Sequence, residues 1–77
     1  MNNSRRKELQ ILLEKVEDNK SDLETIKSEE EEYFENIPEN LQSSERYDLS
    51  ERSIVSMEDA LSSLEDATNS IDEILNE

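Results

Sequence analysis

Residues Tyr47–Leu75 read YDLSERSIVSMEDALSSLEDATNSIDEIL, and every third and fourth residue in turn falls on one line: Tyr47, Ser50, Ile54, Met57, Leu61, Leu64, Thr68, Ile71, Leu75. Seven of those nine side chains are apolar. Alternating steps of three and four are the stripe of a coiled-coil-like helix. A seven-residue near-repeat lies inside it: Ser56-Met-Glu-Asp-Ala-Leu61, then Ser63-Leu-Glu-Asp-Ala-Thr68, then Ser70-Ile-Asp-Glu-Ile-Leu75. One heptad per copy belongs to a long helix, not to a solenoid unit.

The same spacing runs through the first half as Leu9, Leu12, Val16, Asn19, Leu23, Ile26, Glu30, Tyr33, Ile37, again with seven apolar residues of nine. Between the stripes lies Asn36-Ile-Pro-Glu-Asn-Leu-Gln-Ser-Ser44. Pro38 is the only proline, and the chain has no glycine. Proline pushes the residue before it out of the helical region, so the chain turns here. The expected fold is all-α: an antiparallel two-helix hairpin, with helix 1 over about residues 4–36, a turn over 37–43 and helix 2 over about 44–76. Asn2, Asn3 or Ser4 is suited to cap helix 1, and Ser43 or Ser44 helix 2. Asn36 is a candidate cap for the turn that Pro38 starts, with Leu41 folded over the end of the core. Arg5, Arg6 and Lys7 lie in the first turn of helix 1, where the helix dipole disfavours cations, so fraying is expected there.

Folding the chain back pairs residues whose numbers sum to about 80: Leu9 with Ile71, Val16 with Leu64, Leu23 with Met57, Ile26 with Ile54 and Tyr33 with Tyr47. Glu30 then falls opposite Ser50. Lys20 and Lys27 flank the seam opposite the row Glu51, Glu58, Glu65, an arrangement that favours this orientation. Leu13 and Phe34 on helix 1, and Ala60, Ala67 and Ile74 on helix 2, are left outside the seam. They form a candidate surface for self-association into a helical bundle or for another protein; the plainer reading is a widened core stripe. With 77 residues and no cysteine or histidine, neither a disulfide nor an ordinary zinc site can staple the fold. Association is the remaining route to a fuller core.

The formal net charge is −14. Residues 1–20 carry five Lys/Arg against four Asp/Glu, and residues 21–77 three against eighteen, so the turn end and helix 2 are acidic. Glu58, Asp59, Glu65 and Asp66 form a candidate acidic surface that could imitate the phosphates of DNA in a basic protein groove; the plainer reading is a solubilising face. Direct binding of nucleic acid is not expected, because the basic residues form no continuous patch. Glu29–Glu32 splay over different helix faces and offer no calcium loop, so no metal is expected. No catalytic or cofactor residues stand out: serines are plentiful, but none has a base beside it. Tyr33, Phe34 and Tyr47 cluster near the turn, as plugs for the hairpin end or as a partner's anchor. No apolar run approaches the ~20 residues of a membrane span, and there is no signal-peptide core, so a cytoplasmic protein is expected.

The segment Glu29–Tyr47, above all Asn36-Ile-Pro-Glu-Asn-Leu-Gln42 with Ser44-Glu-Arg46, followed by the Ser/Leu/Glu/Asp/Ala heptads, resembles a group of small acidic proteins of bacteriophages and Gram-positive bacteria. The likeness covers roughly residues 20–70. It transfers no activity, cofactor or site, and implies only a setting: a mobile-element accessory protein in the host cytoplasm, acting by binding. The functional expectation is a non-enzymatic interaction module whose partners are itself and another protein. The alternatives are an acidic inhibitor of a host DNA- or RNA-binding protein and, more weakly, sequestration of a small ligand in an oligomeric bundle.

Overall fold

A computed structural model describes residues Met1–Glu77. Helix α1 spans Asn3–Glu35 and helix α2 spans Glu45–Leu75, joined by a single 3-10 turn at Glu39–Leu41. The helices pack antiparallel into a rod of 60 × 14 × 14 Å. Its radius of gyration is 17.6 Å, against about 11–12 Å for a compact chain of this length. Such a rod has a seam in place of a centre.

Both N-caps follow from short polar side chains. The Asn2 carboxamide oxygen accepts from the Arg5 N–H at 2.8 Å, and the Ser44 hydroxyl accepts from the Tyr47 N–H at 3.3 Å. Each takes up one of the amides that a helix start leaves unpaired. The first turn of α1 is helical from Asn3, and one of its basic side chains bonds the end of α2. Arg6 donates from its guanidinium to the carbonyl of Leu75 at the other end of the chain. A cation there satisfies a free carbonyl and meets the negative end of the α2 dipole.

Asn36 ends α1 instead of capping the next turn. Its backbone N–H reaches the carbonyls of Glu32 and Tyr33, and its side-chain amide donates to Glu32 at 2.8 Å. Pro38 then takes φ −59° and ψ 147°, the extended geometry natural to its ring. The end of the seam is closed by Ile37, only 6% exposed, and not by Leu41, which is 38% exposed.

Cross-helix contacts set the register. Ser50 bonds Glu30, Phe34 packs on Tyr47 and Arg6 reaches Leu75; these pairs sum to 80 or 81, as the spacing predicts. On α2 the covered line is the predicted one, from Tyr47 to Leu75. On α1 it is turned by one residue in alternate rows. Leu9, Val16, Leu23, Glu30 and Ile37 face α2 as expected, but they are joined by Leu13, Lys20, Lys27 and Phe34. Leu12, Asn19, Ile26 and Tyr33 turn outward. Leu13 and Phe34 therefore belong to the seam and are not a free surface: Leu13 is 8% exposed, and the Phe34 ring lies 4.6 Å from that of Tyr47. The pairings Ile26–Ile54 and Tyr33–Tyr47 give way with them. A lysine stem can lie along apolar surface while its ammonium group stays in water, as Lys27 does toward Glu31 and Glu58, which makes the Lys20–Lys27 row an acceptable inner row.

Candidate interaction surface

The rotation of α1 gives the rod two unlike flanks. On one, Lys20 and Lys27 lie in an open groove with Glu24, Glu58, Leu61 and Glu65. The Lys27 ammonium stands 3.2 Å from Glu31 and 3.8 Å from Glu58. These pairs are solvent-washed and contribute little stability each, but they occupy the acidic row nearest the seam. Glu58, Asp59, Glu65 and Asp66 are all exposed. Glu58 and Glu65 sit beside the lysines, while heptad spacing puts Asp59 and Asp66 on the back of α2. The four residues thus lie on one edge and on the back of the helix.

The opposite flank carries almost no charge. On α1 it consists of Leu12, Asn19, Ile26 and Tyr33, with Leu12 47%, Ile26 54% and Tyr33 45% exposed. On α2 it consists of Ser53, Ala60, Ala67 and Ile74, of which Ala60 and Ala67 are exposed and Ser53 and Ile74 partly covered. Between these rows lie the half-buried side chains of the seam, Leu9, Val16 and Leu23 against Met57, Leu64 and Ile71. One arginine marks each end. Arg5 lines an open depression with Leu9 and Leu12, and Arg46 another with Tyr33, Glu29 and Glu32.

Eight large hydrophobic side chains are exposed, and only Leu13 and Ile37 are buried among the apolar residues. A single helix partner covers about two rows of a neighbouring helix, whereas α1 carries apolar residues in three. Whichever row faces α2, another is left in water. The charged row turned inward and the more apolar one stayed out.

Sequence reasoning picked out Ala60, Ala67 and Ile74 and missed the α1 half of this flank. Leu13 and Phe34 stand at the two ends of the row that Lys20 and Lys27 share, and those lysines were already matched to Glu58 and Glu65. That was the available signal. The acidic run Glu29–Glu32 is dispersed: Glu30 accepts from Ser50, Glu31 pairs with Lys27, and no three carboxylates converge on one point. The depressions along the rod are open grooves and not enclosed cavities. No helix is long and apolar enough to cross a membrane. Comparison with family models, with curated proteins and with solved structures returns no match.

Proposed function

We propose that this chain is a non-enzymatic protein-interaction module that binds another protein through the uncharged flank. What carries this reading is the row Leu12, Asn19, Ile26, Tyr33, which stands open at heptad spacing beside Ala60 and Ala67. A contiguous apolar strip between charged borders is the ordinary character of a docking surface. Ile26 and Tyr33 are its anchors, and the alanines let a partner helix come close. The setting is that of a mobile-element accessory protein acting on a host or phage protein, as the likeness of its turn segment implies.

The test is capture of partners from host lysate by tagged wild-type chain and by Ile26→Glu, in low and high salt. Capture that survives high salt and is lost with Ile26→Glu supports the module. Salt-sensitive capture of a DNA- or RNA-binding protein, unchanged by Ile26→Glu, would point to the acidic inhibitor instead. That second reading draws on the exposed carboxylates of α2, including Glu58, Asp59, Glu65 and Asp66.

A further inference from the structure

The geometry points to a second copy of this chain as an occupant of the uncharged flank, docked antiparallel about a dyad that passes Asn19 and Ala60. The inference rests on that flank being a protein-binding surface, and it names a partner.

Three observations carry it. First, the open row of α1 extends to Arg5 at the same spacing, so it reads Arg5, Leu12, Asn19, Ile26, Tyr33. It complements itself when reversed: a polar centre, an aliphatic residue on each side, and a cation at one limit that meets an aromatic ring at the other. Turning one copy over end to end about Asn19 puts Leu12 on Ile26 of the other copy and Arg5 on the face of its Tyr33 ring, a cation–π pair. A foreign partner requires no such symmetry, whereas a two-fold interface requires the patch to complement itself. A lone asparagine in the middle of an apolar seam is also a device that fixes register.

Second, the hairpin register, in which facing residues sum to 80 or 81, puts Ala60 within one or two residues of the height of Asn19, so one dyad passes close to both. The same rotation lays α2 along α2 with Ala60 on Ala60 and Ser53 on Ala67. These side chains are small enough for the two backbones to approach closely.

Third, charge selects the direction. The turn end of the rod, residues 29–52, carries nine Asp/Glu against two Arg, whereas the other end, residues 1–8 with 70–77, carries four Asp/Glu against three Lys/Arg. Parallel docking would stack the two acidic ends. Antiparallel docking sets each over the nearly neutral end of the other copy; it brings Lys15 near Asp22 of that copy, and Glu8 near Glu29 on the same row. The flank is large enough. A 60 × 14 Å face has a footprint of about 800 Å², close to the ~800 Å² per partner of a standard stable interface.

Because the chain has no cysteine, the test uses single-cysteine variants of the full chain at exposed positions, each checked for wild-type helicity, and a short bismaleimide linker. Asn19→Cys should cross-link to itself, and Leu12→Cys should cross-link to Ile26→Cys when the two proteins are mixed. Sedimentation equilibrium of the wild type should give a dimeric mass. Added salt should tighten the dimer by screening two copies of charge −14. Ile26→Glu should weaken it by at least about tenfold, since it places a carboxylate in an apolar contact. A monomeric wild type at every accessible concentration would overturn the dimer. So would efficient Asn19→Cys to Ala60→Cys linkage without Asn19→Cys self-linkage, which is the signature of parallel docking. A monomer whose capture of another protein is still lost with Ile26→Glu would overturn this inference and leave the interaction module standing.

Discussion

The hydroxyl of Ser50 donates to the carboxylate of Glu30 across the seam, and Ser50, at 4% exposed, is the most buried of the polar residues. Each of these residues interrupts the apolar line of its own helix, and each supplies what the other lacks. A carboxylate set against the seam without a donor would pay for its lost water. The small serine leaves room for the Glu30 side chain, so the two interruptions make one polar layer. Ser50→Ala should therefore cost about 1–2 kcal/mol in chemical denaturation. Combining Ser50→Ala with Glu30→Leu should recover most of that loss, because an apolar pair leaves nothing unsatisfied. Failure of the double variant to recover would mean that the layer does not act as a unit.

Adjacent leucines should respond differently because α1 is rotated. Leu13 is 8% exposed and Leu12 is 47% exposed. Leu13→Ala should cost about 2–3 kcal/mol, and Leu12→Ala less than about 1 kcal/mol, both measured by thermal melts of dilute protein. A reversed order would restore the seam through Leu12 and Ile26. At higher concentration the cost of Leu12→Ala should grow, since linkage to association adds to the apparent stability.

The cap of α2 distinguishes two neighbouring serines. Ser44 accepts from the Tyr47 N–H and donates to the Leu41 carbonyl, holding the turn and the helix start together. Ser43 is exposed. Ser44→Ala should lower stability by about 1 kcal/mol, while Ser43→Ala should stay within about 0.5 kcal/mol of wild type. Equal losses would remove Ser44 from the capping role.

The quadruple variant Glu58→Gln, Asp59→Asn, Glu65→Gln, Asp66→Asn tests the acidic surface. None of the four is buried, and only Glu58 is paired, with Lys27 at 3.8 Å. Helicity should be unchanged, and the melting temperature should hold or rise as repulsion along α2 falls. Binding of a protein partner, measured calorimetrically, should be nearly that of the wild type. A large loss that matches the loss caused by added salt would transfer the function to the carboxylates.

Much of this architecture was legible because it depends on local rules. The heptads of Tyr47–Leu75 predict α2 and its inner line, Pro38 predicts the break, Ser43 or Ser44 is predicted as the cap and Ser44 takes it, and the two stripes together predict a register in which Glu30 meets Ser50. Spacing, capping and proline geometry are properties of a few neighbouring residues, so they can be read without knowing what the chain packs against. The end of the seam was less legible. Ile37 and Leu41 are both aliphatic and flank the same turn, and only the path of the chain through Pro38 decides which of them faces inward.

The sequence by itself determined two amphipathic helices, their antiparallel return and their alignment to within one residue. Tertiary structure decided which side of α1 the seam takes. Leu12, Ile26 and Tyr33 on one row, and Leu13 and Phe34 with two lysines on the next, are both acceptable to a helix. Choosing between them is a matter of what stands opposite: Tyr47 offers its ring to Phe34, and Glu58 offers its carboxylate to Lys27. Helical periodicity places side chains only on faces, and neighbouring faces of α1 differ by less than a third of a turn. Packing against α2 settled that difference, and in doing so left the more apolar row in water.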